Sequence, residues 1–327
     1  MAARKGINTA RLKTIYSRQD SPSWGPDYLP SIMATPQEAP SISRAFILTP
    51  AKLNGRETHL LSTPERNACL LGLYHPLVIG LQEQRMLSPE PGQHPLWTFP
   101  GIDRTDLPPI KGIIDVAERL GHLSVLPRLK IDSQDPTIPS RTVIFPYAGD
   151  LLWAIQPSQG KVYCVNWSVK DTYSDFKRPI SATHGNSISN KQSQTILARH
   201  AIEEAYYIDG GIRTVKVADE AIDHHVSANL RQLFLHHRQP LHLTPEQREE
   251  ILHKFHSAFE CEIPPVEVIM HFVERGRYSV YQCRSLFYQA IWNRELRVDL
   301  FRPILINIPQ KNESRDVIDV YAEWFKG

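Results

Sequence analysis

The sequence predicts a mixed α/β domain followed by a smaller domain built mainly from helices. Three observations carry this. Two runs rich in strand formers, 141–155 and 161–170, flank a turn at 156–160. A run of helical period, 192–208, places Leu197, Ala201 and Ala205 four residues apart, stops at Gly210-Gly211, and leads into a short strand at 212–217. From Leu243 onward, successive one-sided apolar faces alternate with capping signals, and 327 residues are enough for about two domains.

Residues 1–44 precede these patterns. Their first eighteen residues hold Arg4, Lys5, Arg11, Lys13 and Arg18 and no acid; Pro22, Pro26, Pro30, Pro36 and Pro40 punctuate the rest. Such a composition predicts a solvated tail, or a basic arm that touches phosphates or a partner. The first domain, 45–240, opens near Phe46. Ser62 and Thr63 are N-cap candidates, Pro64 suits a first helical turn, and the helix carries Leu70, Leu71 and Tyr74 before Pro76 ends it. VIGLQEQ, 78–84, reads as a strand, and the runs 141–155 and 161–170 as a hairpin. After the helix and strand already described, 219–223 turns, and Ser227 caps a helix holding Leu230, Leu233 and Phe234.

In the second domain, 241–327, Thr244-Pro245-Glu246-Gln247 has capping-box form. Ile251, Leu252, Phe255 and Phe259 make one apolar face; Val268, Ile269 and Phe272 make a second. A third helix, capped by Ser279, presents Val280, Cys283, Leu286, Phe287, Ala290 and Ile291. Leu296, Val298 and Leu300 alternate as a strand, and a second strand follows Pro303. Three helices with a small β-ribbon outline an α-helical winged-helix domain.

The bulk properties exclude some classes. Net charge is only +2, so affinity for nucleic acid has to come from local clusters. Arg275, Arg277, Arg284, Arg294, Arg297 and Arg302 outnumber Glu295 and Asp299 across the third helix and the ribbon. They read as contacts to DNA phosphates, as a docking surface for a partner, or as a solvated face. Cys69, Cys164, Cys261 and Cys283 lie far apart with no CxxC spacing, against a zinc cage or a disulfide framework. His224-His225, His236-His237, His253 and His256 read as surface or packing histidines, with no third ligand at a fixed spacing. Apolar runs fall short of the roughly 20 residues that span a bilayer. The first residues lack the apolar core of a signal peptide. A cytoplasmic protein with no membrane partner is expected.

Glu65, Asp150 and Lys170 are the constellation with chemical content. An acid on a helix, an acid at a strand start, and a lysine about twenty residues later on the paired strand are the layout of a restriction-endonuclease-like nuclease. Hard Mg²⁺ takes carboxylate oxygens, and two acids from different elements hold it while leaving room for water and phosphate. A lysine beside them offsets developing negative charge. Mn²⁺ is expected to substitute for Mg²⁺. Ser168 shares a strand face with Lys170. The spacing alone is weak. Glu65 also reads as a first-turn acid complementing the helix dipole, Asp150 as a turn residue after Gly149, and Lys170 as an exposed strand end.

Several ordered segments add to this. TPERNACLLGLYHPLVIGLQEQ (63–84), FPYAGDLLW, VNWSVK, ILARHAIEEAYYIDGGIRTVKVADEAIDHHVSANL (196–230) and FYQAIWNRELRVDLFRPI (287–304) resemble the TnsA family of heteromeric transposase subunits, over roughly 45–305. The resemblance implies that Glu65 and Asp150 bind the metal and Lys170 is the catalytic lysine. It matches Glu203 to an acidic helix position near the site, with Glu204 as the neighbouring alternative. Gly149 replaces the usual Pro, and Ser168 replaces the usual Gln, so Ser168→Gln is expected to preserve or raise activity. The implied reaction is metal-dependent cleavage of the 5′ ends of a transposon during cut-and-paste transposition. A TnsB-type DDE transposase cuts and joins the 3′ ends, and a TnsC-type AAA+ ATPase regulates both. The alternative is a catalytically weak scaffold that binds DNA and bridges transposase subunits.

Overall fold

The computed structural model describes residues 6–42, 44–131, 140–177 and 190–327; Arg4 and Lys5 of the expected basic arm lie outside them. The chain is mixed α/β and divides into two compact units. Met1–Cys69, Leu77–Ala221 and Trp324–Gly327 form one, and Leu70–Pro76 with Ile222–Glu323 form the other. The division thus falls at 221/222, ahead of the boundary expected at 240/241. No helix among the described residues is long and apolar enough to cross a membrane.

Up to Ala218 the elements run α1 (Thr9–Gln19), β1 (Phe46–Leu48), β2 (Thr58–Leu60), α2 (Thr63–Tyr74), β3 (Val78–Glu83) and β4 (Met86–Leu87). There follow α3 (Ile113–Arg119), β5 (Arg128–Ile131), β6 (Arg141–Ile144), β7 (Tyr147–Ala148), β8 (Leu151–Ile155), β9 (Tyr163–Lys170), α4 (Asn190–Asp209) and β10 (Arg213–Ala218). The central sheet has the order β10-β9-β8-β3. β9 pairs antiparallel with β8 in the expected hairpin, β8 antiparallel with β3, and β10 parallel with β9. A parallel pair needs a crossover, and α4 supplies it between β9 and β10.

Both sheet faces are covered, so β8 and β9 are buried almost throughout. On one face Leu152, Ala154 and Cys164 join Ile202, Tyr206 and Tyr207 of α4 and Val116 of α3 in the main core. On the other, Trp153 stacks edge-on against Trp167 with ring centroids 5.4 Å apart, and Phe325 packs on Trp167 at 5.0 Å. The Trp167 indole N–H donates to the Trp324 carbonyl (2.7 Å), so the C-terminal residues close that face.

The N-terminal segment is not a solvated tail. α1 is capped by Asn8 and buries Leu12 and Ile15 against Met86 and Phe145. Trp24 enters the main core, where its indole N–H donates to the Pro95 carbonyl (2.8 Å) and its ring lies 5.4 Å from Phe99. Tyr28 gives its hydroxyl to the Glu83 carbonyl (2.6 Å), and Ser31 gives both N–H and O–H to the Gln84 carbonyl (3.0 and 2.6 Å). The prolines shape an irregular path whose apolar side chains have no period, which is why composition read it as polar chain.

In the second unit, α5 (His224–His236), α6 (Pro245–Glu260), α7 (Pro265–Glu274) and α8 (Val280–Trp292) enclose their own core, with α8 packed against the other three. Thr244–Gln247 and Ser279–Gln282 form the expected capping boxes. The cap of α5 is Asp223, which accepts from His225 and Val226 N–H; Ser227, the residue expected there, is buried inside the first turn. His236 stacks on Tyr288 and His237 on Phe234 (4.6 and 4.1 Å), so these histidines pack. The expected ribbon is reduced to a single antiparallel bridge, Val298–Asn312. Instead of a ladder, buried Asn229 serves the backbone there, donating to the Leu300 and Arg302 carbonyls (2.8 and 2.7 Å) and accepting from Ile304 N–H (3.1 Å).

If the N-terminal segment is part of the fold, Trp24→Ala should destabilise the protein by roughly 3–5 kcal/mol, the usual range for a core Trp. Urea unfolding monitored by circular dichroism measures this. A change under about 0.5 kcal/mol, typical of a surface site, would return the segment to the status of a tail.

Candidate active site

The candidate residues gather where a strand pair is interrupted. β3 pairs with β8 and β4 with β7, with the breaks at Gln84-Arg85 and Gly149-Asp150. Gln84 adopts a left-handed backbone (φ 48°). Two bonds carry the pairing across the break, Gln84 N–H to the Asp150 carbonyl (3.0 Å) and Gly149 N–H to the Arg85 carbonyl (2.9 Å). A Cβ at position 149 would lie 3.1 Å from the Tyr207 hydroxyl, so a residue larger than glycine there would require Tyr207 to give way. Irregularities of this kind re-aim side chains beside active sites.

Asp150 Oδ2 accepts the Val169 N–H (2.7 Å) and stands 3.6 Å from Lys170 Nζ. The Lys170 ammonium donates to the Val169 carbonyl (2.9 Å). Glu65, in the first turn of α2, accepts from Leu61 N–H (2.8 Å) and Gln84 Nε2 (2.9 Å) on Oε2, and from the Ser62 hydroxyl (3.0 Å) on Oε1. Its carboxyl is pushed up to about 8, first by burial and next by the charge of Asp150, while Lys170 pulls the other way. Glu65, Asp150 and Lys170 therefore act on one another electrostatically.

Ser168 and Glu203 form an adjoining pair. Ser168 is 2% exposed, and its hydroxyl donates to Glu203 Oε2 (3.3 Å). Asn166, two residues back on the same face of β9, donates its amide to Oε1 (3.1 Å), and His200 Nδ1 lies 3.9 Å from Oε2. Burial pushes the Glu203 carboxyl up, but His200 and Asn166 outweigh it and hold it below its ordinary range. Glu204, the alternative, points outward to Lys216 (3.8 Å). Ser168 is thus buried against Glu203, and a glutamine at 168 would have to be accommodated beside that carboxylate. Gln84, Asn166 and His200 were missed. For Gln84 the signal was its place directly after an acid at the end of an otherwise apolar strand.

An all-oxygen set suits a hard divalent cation. Glu65 and Asp150 are the residues that would hold it; the Val169 carbonyl at the same strand end accepts from Lys170, and among the described residues no group of three or more His, Cys, Asp or Glu is gathered to hold a metal ion. Burial and the charge of part-exposed Asp150 both disfavour the ionised form of Glu65, and a bound cation would favour it.

The arginines of the second unit are largely engaged by its own acids. Arg294 pairs with Asp316, Arg297 with Glu313 and Asp316, Arg277 with Glu250, and Arg302 with Asp299. Arg275 lies against His271 (2.7 Å). Arg284 is exposed on α8. No protein-family model matches the chain, and no curated protein matches it in sequence.

The Glu65 shift has a sign that can be measured. In the unfolded chain this carboxyl ionises near 4.5, but in the folded chain only near 8, so the folded state holds a proton that the unfolded state has lost between those values. Its contribution to stability is full below about 4.5 and declines as pH rises towards 8. In metal-free buffer, unfolding free energy should fall with pH across this window more steeply for the wild type than for Glu65→Gln. Parallel profiles would remove the shift at Glu65.

Proposed function

We propose that this chain is a divalent-metal-dependent DNA endonuclease with a restriction-endonuclease-like first unit and a winged-helix-like second unit. The observation that carries the reading is the meeting of Glu65, Asp150 and Lys170 at one interruption in the sheet, on a helix and two paired strands. Bound Mg²⁺ or Mn²⁺ supplies Lewis acidity to a phosphodiester and acidity to a water. Lys170 brings a positive charge to the side of the site where negative charge develops on the phosphate. Asp150, fixed by the Val169 N–H, holds that ammonium in place. Glu203 adds a carboxylate from α4 behind Ser168, so the strand need not supply a long polar side chain.

Within this reading the resemblance to TnsA assigns the substrate and partners. The substrate is a transposon end cut on its 5′ strand, and the partners are a TnsB-type DDE transposase and a TnsC-type ATPase. In the second unit, α6, α7 and α8 and the Val298–Asn312 bridge support the winged-helix assignment.

The test is cleavage of strand-labelled transposon-end DNA by the full chain with its partner transposase, in Mg²⁺ and in EDTA. Wild-type cutting should require Mg²⁺. Asp150→Ala and Lys170→Ala should each lower the rate by about 10²–10³-fold or more, and Lys170→Ala should still bind the metal by calorimetry. DNA retained without cutting in any metal would replace the nuclease with the scaffold.

A further inference from the structure

We infer that Arg44, Phe46 and Arg66 form a binding site for a backbone phosphate of the DNA strand that enters the pocket; this rests on the endonuclease reading. The Arg66 guanidinium carbon lies 4.4 Å from the Phe46 ring centroid and that of Arg44 lies 5.3 Å from it. Two cations thus share one aromatic ring, so a phosphate held by one of them also lies in the field of the other.

Three connections set this pair beside the pocket. Arg66 follows Glu65 in the first turn of α2. Arg66 Nε and Nη2 donate to Asn67 Oδ1 (3.2 and 2.9 Å), Asn67 donates in turn to Asp219 Oδ1 (2.9 Å), and the residue before Asp219, Ala218, is the register partner of Lys170. Phe46 is paired with Leu60, the last residue of β2, and Leu61 then gives its N–H to Glu65. The ring stands on β1 and is half-buried, and Arg44 is exposed.

Stacking orders a guanidinium through its flat face, whereas a phosphate fork forms at its in-plane edge; exposed Arg44 is the one to offer that fork, and Arg66, whose Nε and Nη2 serve Asn67, adds its charge beside it. Two like charges on one ring repel, and a bound anion turns that repulsion into attraction. Phosphate recognition of this kind carries no base information, so the site positions the strand and leaves sequence to other contacts.

The test is equilibrium binding of the full-length protein to duplex DNA in EDTA, by fluorescence anisotropy over a salt series, alongside cleavage in Mg²⁺. Arg44→Ala, an exposed change that leaves the fold intact, should weaken binding to unrelated sequences alike and flatten the slope of log K against log salt by about 0.9 for each phosphate no longer neutralised. Arg44→Glu should weaken it further. Phe46→Leu keeps both charges but removes the stacking, and should weaken binding while melting within a few degrees of wild type. If the wild type binds and cuts but both Arg44 variants keep its Kd and salt slope, the phosphate site is wrong and the endonuclease stands. If those variants bind DNA normally and lose only capture of the partner transposase, the arginines face a protein and the inference also fails. A wild type that neither binds nor cuts transposon-end DNA even with the partner transposase present removes the endonuclease reading itself, and the phosphate site with it.

Discussion

The arrangement of the first unit depends on a buried ion pair at the end of β3. Glu83 has no exposed surface; its carboxylate takes both terminal nitrogens of Arg56 (2.9 and 2.7 Å) and the His59 N–H (3.0 Å). Arg56 also donates to the Glu57 and Leu81 carbonyls and lies over the Tyr28 ring. Desolvating two charges cancels most of their attraction, so such a pair adds little net stability, whereas losing one partner costs roughly 3–5 kcal/mol. Its effect is positional. It ties the end of β3 to the entry of β2, and β2 leads directly to the first turn of α2. Gln84, one residue beyond, is thereby placed to bond Glu65 with its side chain and Asp150 with its main chain.

Around that pair, one carboxylate serves two purposes. Glu65 stands three residues after Ser62 and accepts from its hydroxyl and from Leu61 N–H, much as the acid of a capping box does. The helix-dipole explanation and the catalytic explanation of Glu65 are therefore not rivals. The capping bonds fix its rotamer, and the fixed rotamer holds it within the field of Asp150 at a cost that burial raises further. A carboxyl free to turn into solvent would relax away from that field and titrate in its ordinary range. The N-terminal segment adds to the same constraint, since Tyr28 and Ser31 occupy the carbonyls of Glu83 and Gln84 that would otherwise need solvent.

The parts of this structure legible in the sequence are those where side-chain pattern and backbone demand coincide. The hairpin of β8 and β9 has strand formers on both arms and a proline-glycine turn between them. Thr244 and Ser279 cap helices because each has a glutamine three residues on to answer it. That Glu65, Asp150 and Lys170 are neighbours was legible from their order on a helix start and two paired strands; what they do there was not. What escaped was governed by tertiary contacts. Beyond α1, whose Leu12 and Ile15 do stand at helical spacing, the segment through residue 42 follows no period, so Trp24 and Tyr28 gave no signal of burial. Asp223 displaced Ser227 as a cap because a first turn beginning one residue after an acid can be capped by it, and the apolar face alone does not set the phase. The ribbon after Leu296 lost its ladder to the side chain of Asn229, 71 residues before Leu300 in the chain. At Ser168 the sequence pattern followed one strand and gave no sign that the carboxylate beside it comes from α4.

Charge sets how such a site can meet a polyanion. Asp171, Asp175, Asp219 and Glu220 lie at the same end of the sheet as Lys170, and the Asp171 carboxyl is pushed up by partial burial and by the charges of Asp219, Asp175 and Glu220. Phosphates are repelled there unless cations intervene. In the second unit Arg248, Arg277, Arg294, Arg297 and Lys311 already meet acids of that unit. Counterion release scales with the number of phosphates neutralised, so a surface of this balance binds DNA weakly by itself. Under the proposed function this is an advantage. A subunit that cuts only one strand at a transposon end should not engage DNA at random, and affinity contributed by partners confines the cutting to the assembled complex.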